Sequence, residues 1–284
     1  MQYFKRIIDL HKYLSEARAN GLTIGFAPTM GALHAGHMSL IHDSKQQNDR
    51  TICSIFVNPT QFNDPADLEK YPRTVAEDLD LLYDHACDVV FLPGVAEIYP
   101  QEGFHTPELD FEGLTDVMEG AFRPGHFAGV AQVVYRLLNI IRPDRLYMGQ
   151  KDYQQWTIIH SMLDQLQLPI ELVMCTTVRE PDGLAMSSRN RRLTPEFREQ
   201  APILFESLSA CLEAILEGSK DYRHLEKIAK EAILAAGLEP EYFQIADGYT
   251  LQVAHPAGLS KRLVICVAAW AGEVRLIDNL YLDL

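Results

Sequence analysis

From residue 22 onward, short apolar runs alternate with longer amphipathic stretches, and this alternation limits the fold more than any other feature of the chain. Leu22 to Ala27 reads as a strand and Leu33 to about Asn48 as a helix. Thr51 to Val57 is a second strand, Val75 to Ala86 a helix, and Cys87 to Leu92 a third strand. A helix over Phe127 to Ile141, a strand over Arg145 to Met148, a helix over Tyr153 to Leu166 and a strand over Ile170 to Val178 continue the pattern. Buried apolar strands separated by helices are βαβ units, which build a parallel sheet covered by helices on both faces. The expectation is an α/β, doubly wound, Rossmann-like domain over residues 1–177, with ligands at the C-terminal ends of its strands.

After Val178 the texture changes. A polar, glycine-containing loop runs from Arg179 to Leu193, and Thr194-Pro195 is a helix start, with threonine as N-cap and proline at the first helical position. A second helix runs from Asp221 to a stop at Gly237. Arg262 to Ala269 and Glu273 to Leu282 read as two strands joined at Ala271-Gly272, a hairpin. Residues 178–284 are therefore expected to form a smaller α+β domain, closing over the site of the first.

Charge and cysteine content narrow the function. Among 284 residues the formal net charge is −14, which counts against a nucleic-acid partner, because phosphate neutralisation by a basic surface supplies most of that affinity. A local basic cluster can still hold a small anionic substrate. The N-terminal Met1-Gln2-Tyr3-Phe4-Lys5-Arg6 lacks the pattern of a secretory signal, and no apolar run reaches transmembrane length, so no membrane partner is expected. The five cysteines, Cys53, Cys87, Cys175, Cys211 and Cys266, are widely spaced and include no Cys-x-x-Cys. Free buried thiols in a reducing, cytoplasmic compartment are the economical expectation.

Two segments carry chemistry. Met30-Gly31-Ala32-Leu33-His34-Ala35-Gly36-His37 follows a strand and opens a helix, where backbone N–H groups and the helix dipole favour an anion. Gly31 and Gly36 permit close backbone approach to a ligand, and His34 and His37, three apart, share one helical face. A His-x-x-His pair by itself more often caps a helix or lies on the surface; the strand–glycine–helix context favours phosphate binding. The second segment, Met186-Ser187-Ser188-Arg189-Asn190-Arg191-Arg192, puts two hydroxyls and three arginines within six residues. Such donors fit a triphosphate or a departing pyrophosphate.

Together these segments resemble the paired signatures of the HIGH/KMSKS nucleotidyltransferase superfamily, whose members act at a nucleotide α-phosphate and expel pyrophosphate. Further runs narrow the likeness: Asn58-Pro59-Thr60-Gln61, Tyr71-Pro72-Arg73-Thr74, Arg123-Pro124-Gly125-His126, Gly149-Gln150-Lys151-Asp152-Tyr153-Gln154-Gln155, Val178-Arg179-Glu180 and Arg275-Leu276-Ile277-Asp278-Asn279. In this order they resemble the pantothenate synthetase (pantoate–β-alanine ligase) family over nearly the whole chain. The resemblance implies ATP-dependent condensation of (R)-pantoate with β-alanine through a pantoyl adenylate, releasing AMP and diphosphate. It implies ATP contacts from Met30, Gly31, Ala32, Leu33, His34, Ala35, Gly36, His37, Gly149, Gln150, Lys151, Asp152, Val178, Met186, Ser187, Ser188 and Arg189. His37, His34 and Lys151 would act in catalysis, Gln61 and Gln155 would bind pantoate, and Gln61 would also meet β-alanine. Mg²⁺ would bridge the phosphates, with Asp78 and Glu77 as protein-side candidates; as first-turn acids both also complement a helix dipole. A homodimer is the assembly that the resemblance implies.

Overall fold

The computed structural model describes residues 1–62, 65–101, 103–255 and 261–284. It divides the chain into two compact units: 1–111, 123–149 and 158–176 form one, while 112–122, 150–157 and 177–284 form the other. Two segments from the first 177 residues, 112–122 and 150–157, thus belong with the C-terminal unit.

The first unit contains, among the described residues, a six-stranded sheet of β1 (Gln2–Phe4), β2 (Ile24–Thr29), β3 (Arg50–Ile55), β4 (Val89–Phe91), β5 (Arg145–Gly149) and β6 (Glu171–Cys175). Its order is β1-β4-β3-β2-β5-β6, and every pairing is parallel. From β2 the chain steps to β3 and β4 on one side, then returns to β5 and β6 on the other. Right-handed crossovers taken in opposite directions place their helices on opposite faces. Ala35–Gln47 and Val75–Asp84 therefore cover one face, and Ile7–Ala19 packs with His126–Ile141 on the other. The reversal makes the C-terminal end of β2 the topological switch point, where an open α/β sheet forms its ligand crevice. Pro28 suits that place. It pairs with Ser54 of β3, but β5 pairs with β2 only at Gly25 and Phe26, so the missing N–H costs no bond on that side.

In the second unit, β7 (Glu239–Asp247), β8 (Arg262–Ala271) and β9 (Val274–Asp283) form an antiparallel sheet in that order. Helices Ile203–Leu216 and Tyr222–Ala235 supply Leu204, Leu208 and Ile233 to a core shared with Phe243, Ile265 and Val267 of the sheet. Thr194 caps helix Pro195–Gln200 by accepting from the Phe197 N–H at 3.3 Å, and Asp221 caps the later helix through the His224 N–H at 3.1 Å. The hairpin turns at Gly272-Glu273, one residue later than expected, because Ala271 still pairs with Val274. Gly272 takes φ +61°, the left-handed conformation such a two-residue loop needs.

All five thiols are free and buried, and burial pushes Cys87 and Cys211 up to about 12. It raises Cys53, Cys175 and Cys266 as well. The thiolate is the reactive form, so the native protein should give no fast-reacting thiol with an aromatic disulfide reagent at about pH 8, and all five after unfolding. Rapid stoichiometric reaction of the native protein would show that one of these sites opens.

Candidate active site

The switch point is built from the turn that leaves β2. Gly31 and Ala32 both take left-handed backbone, φ +84° and +50°, which turns the chain back sharply over the strand end. That conformation is held by Asp78, which is 2 % exposed. Its carboxylate accepts from the Ala32 N–H at 3.0 Å and the Leu33 N–H at 2.7 Å, and from the Thr74 hydroxyl at 3.2 Å. A Cβ on Gly31 would come within 2.9 Å of the same carboxylate. The close backbone approach expected of Gly31 is thus an approach to the protein's own side chain.

Two histidines then cap the following helix reciprocally. The His34 Nδ1 accepts from the Gly36 N–H at 3.1 Å, and the His37 Nδ1 accepts from the His34 N–H at 3.3 Å. With both Nδ1 atoms accepting, the proton of each neutral ring lies on Nε2. The ring centroids are 4.1 Å apart, so the two imidazoles lie against each other. In this pair the Nδ1 atoms serve the helix, which is the capping role. The backbone contributes less than the sequence suggests, since the N–H groups of Gly31, Ala32, Leu33, His34 and Gly36 all have partners within the unit.

Next to this turn, the chain leaving β3 forms the short 3₁₀ turn Pro59–Gln61. The Gln61 amide is buried and fixed at both ends: its oxygen accepts from Asn58 Nδ2 at 3.1 Å, and its nitrogen donates to the Met30 sulfur at 3.2 Å. Asn58 in turn donates to the Gly129 carbonyl at 3.1 Å and accepts from the Tyr99 hydroxyl at 2.8 Å. His126 Nδ1 donates to the Gln61 carbonyl at 2.8 Å while its Nε2 accepts from Arg123 at 3.2 Å. Gly129 is required by contact rather than by backbone angle, because a Cβ there would lie 2.4 Å from the Thr60 carbonyl oxygen. The Arg123-Pro124-Gly125-His126 run is accordingly both a helix entry and the seat of Gln61. Gly149 ends β5, the neighbour of β2.

The second unit holds the remaining residues singled out from the sequence. Gln150, Lys151 and Asp152 form a 3₁₀ turn in which Gln150 is buried, Lys151 half-buried and Asp152 exposed. The two adjacent glutamines have opposite fates. Gln154 is 4 % exposed; it accepts from the Glu119 N–H at 3.0 Å and donates to the Leu114 and Val117 carbonyls at 2.7 and 2.9 Å. Gln155 is half-buried, and its amide has no hydrogen-bond partner among the described residues. Glu119 itself binds Arg275 through two 2.7 Å contacts and accepts from the Tyr242 hydroxyl at 2.8 Å. Burial works against the Arg275 charge, but Glu119 and Glu241 more than offset it and hold its pKa above the ordinary arginine value.

Val178 accepts from the Met186 N–H at 3.0 Å, and Arg179 pairs with Ala185, closing the base of the loop that carries Met186 to Arg189. Arg179 is gripped by the buried Asp278 and stacks 4.0 Å above the Phe205 ring. Burial pushes the Asp278 carboxyl above its usual range despite Arg179 beside it. Ser187 accepts from the Arg189 N–H at 3.3 Å and so caps the short turn Ser188–Arg192. Asn58 in the first unit, and Gln154, Asp278 and Asn279 in the second, are buried polar residues to which the sequence reading assigns no role, though each lies inside a run it singles out.

Asp78 and Glu77, the two acids put forward for Mg²⁺, differ in setting. The Asp78 carboxylate is committed to the backbone of the β2 turn, and Glu77 is exposed. Among the described residues no group of three or more His, Cys, Asp or Glu side chains is arranged to hold a metal ion.

A family model described as pantoate-beta-alanine ligase matches residues 2–281. The chain belongs to the pantoate–β-alanine ligase family. The ligase is 47% identical over 281 residues to a pantothenate synthetase of Bacteroides thetaiotaomicron, covering 99% of this chain and 98% of that one. It is 44% identical over 285 residues to the enzyme of Pseudomonas fluorescens, covering 100% and 99%. Among solved structures, pantothenate synthetase from Thermus thermophilus superposes with a TM-score of 0.89 at 39% identity, covering 99% of each chain. The pantoate–β-alanine ligase of Francisella tularensis, complexed with beta-gamma ATP and β-alanine, gives 0.76 at 36% identity, covering 99% of this chain and 97% of that one.

The bracing role of Asp78 is directly measurable. Asp78→Ala leaves two buried amides unpaired and should lower stability to denaturant by about 2–4 kcal/mol, equally with and without Mg²⁺. A loss that appears only when Mg²⁺ is present would assign this residue the metal-ligand role.

Proposed function

We propose that the ligase condenses (R)-pantoate with β-alanine to give pantothenate, AMP and diphosphate through an enzyme-bound pantoyl adenylate. The observation that carries this reading is the hydrogen bond from Gln61 to Met30. It sets an amide able to hold an acid directly against the turn that presents His34 and His37. A carboxylate held by Gln61 would then lie beside a phosphate held by the two Nε2 donors.

The chemistry follows from that adjacency. Pantoate's carboxylate is already ionised and needs no base; it attacks the ATP α-phosphate in line and pyrophosphate leaves. The free amine of β-alanine then attacks the mixed anhydride, the C–N bond forms, and AMP departs. No side chain acts as nucleophile, so the protein supplies alignment and charge stabilisation, the main terms in such transfers. In this reading Met30 to His37 line the ATP phosphates, with His37 donating and His34 beside it. Lys151 meets the phosphates, Asp152 the ribose, and Gly149, Gln150, Val178 and Met186 to Arg189 complete the contacts. Gln155, whose amide is unengaged, joins Gln61 at the hydroxyls and carboxylate of pantoate, and Gln61 also meets β-alanine. Mg²⁺ accompanies ATP as part of the substrate, and no step depends on a protein ligand for it. Five free thiols and ATP use support a cytoplasmic location, and a homodimer is part of the same reading.

Pantoate alone, mixed with protein, ATP and Mg²⁺, should support exchange of labelled pyrophosphate into ATP, while AMP release at turnover should need β-alanine. Exchange that strictly required β-alanine would exclude a free-standing adenylate. A stable adenylylated product in place of AMP would point instead to a transferase that leaves the nucleotide on its product.

The glutamines separate acid from nucleotide binding. Gln61→Ala and Gln155→Ala should each raise the pantoate requirement by at least about tenfold, since an unpaired polar partner costs on the order of 1–3 kcal/mol. The ATP requirement should move much less. Equal rises for both substrates would assign these amides to the nucleotide.

A further inference from the structure

The Gln150–Asp152 segment is a three-residue 3₁₀ turn that leads directly into helix Tyr153–Gln165, so its C-terminal end is fixed by that helix while the carbonyls of its first two residues need partners of their own. At its first two residues the turn is also tied to β9, in the same unit, by the side chain of Asn279. Asn279 is 2 % exposed, and its Nδ2 donates to two consecutive carbonyls, Gln150 at 3.0 Å and Lys151 at 2.8 Å. Its Oδ1 accepts from Gln150 Nε2 at 3.3 Å, so every polar atom of the asparagine amide is spent on this turn. Only a primary amide provides two donors on one nitrogen together with an acceptor; aspartate has no donor, and serine has one. Asp278, the preceding residue, donates nothing to the turn. It anchors Asn279 instead, accepting from the Asn279 N–H at 2.8 Å while it grips Arg179. The Lys151 charge also acts on Asp278, drawing its carboxyl toward the ionised form.

We infer that Asn279 is a positioning residue for the ligase reaction: by pinning the carbonyls of Gln150 and Lys151 it fixes the direction in which the Lys151 ammonium is presented. This inference rests on the reading of Lys151 as a ligand of the ATP phosphates. Pinning a backbone carbonyl removes rotation about the Lys151 Cα, leaving the side-chain torsions as the remaining freedom. A loosened turn would spread the ammonium over several positions, and misplacement by about 1 Å is enough to cost on the order of 10²-fold in rate.

A double-mutant cycle tests it, with AMP release measured against both ATP and pantoate for the full-length parent, Asn279→Ala, Lys151→Ala and the double variant. Asn279→Ala should keep a cooperative thermal melt and lose about 10²-fold in kcat/KM for ATP. Its KM for pantoate should stay within about threefold of the parent, and adding Asn279→Ala to Lys151→Ala should cost less than about threefold more. A role in folding alone would lower the melting temperature but not make the two substitutions non-additive. If Asn279→Ala does not melt cooperatively, Asn279→Ser replaces it in the cycle with the same criteria, its single donor predicting a smaller loss. An equal loss with and without Lys151, near-parental kcat/KM, or a pantoate KM that rises with that for ATP overturns the inference. Parental turnover by Lys151→Ala alone would remove the phosphate reading itself, a failure distinct from additivity in the cycle.

Discussion

A single buried carboxylate holds the switch point together. Asp78 accepts two successive backbone N–H groups of the turn after β2, and those bonds stabilise consecutive left-handed residues, of which Ala32 carries a Cβ that disfavours that conformation. Everything beyond the turn inherits its position. His34 and His37 cap the next helix because the turn delivers them at its first residues, and Met30 meets Gln61 because the turn bends back toward β3. Hydrogen bonds to a charged acceptor are stronger than neutral ones, so a carboxylate suits this task better than an amide would.

The two units use their polar residues in the same way. In each, a side chain adjoining a proposed ligand contact is fully satisfied and passes its order to a neighbour with capacity left over. Asn58 stands behind Gln61, Gln154 stands beside Gln155, and Asn279 stands behind Lys151. Buried amides with every donor and acceptor paired are rigid, and a rigid support keeps a polar contact within the narrow tolerance that transfer chemistry demands.

Legibility in the sequence followed the range of the interactions. The central strands, the helices between them and the hairpin show up as local periodicity, and each of these lies within a few residues of its expected place, whereas helices Ile7–Ala19 and Ile203–Leu216 have no counterpart in the sequence reading. β1 is only three residues long, and β7 opens Glu239-Pro240-Glu241, so neither gives a clear apolar run. The histidine pair was visible from its strand–glycine–helix setting. The use of Asp78 as a brace was not, because its amide partners lie 45 and 46 residues away and a first-turn acid reads first as a dipole complement and only after that as a metal ligand. Likewise nothing local distinguishes Gln154 from Gln155. The distinction comes from Leu114, Val117 and Glu119, which only the folded unit brings to one of them.

The second unit is assembled from three separated stretches, and this has a consequence for the order of events on the ribosome. Glu119 finds Arg275 across 156 residues, and Gln150 finds Asn279 across 129. Both early stretches emerge long before their partners exist. Vectorial synthesis can complete the sheet of the first unit, whose last strand ends at Cys175, while 112–122 and 150–157 still wait for β9. Until β9 has emerged, Glu119 lacks Arg275 and the Gln150–Asp152 turn lacks Asn279. A nascent chain that has not yet reached β9 thus holds both early stretches without the partners that order them in the folded unit.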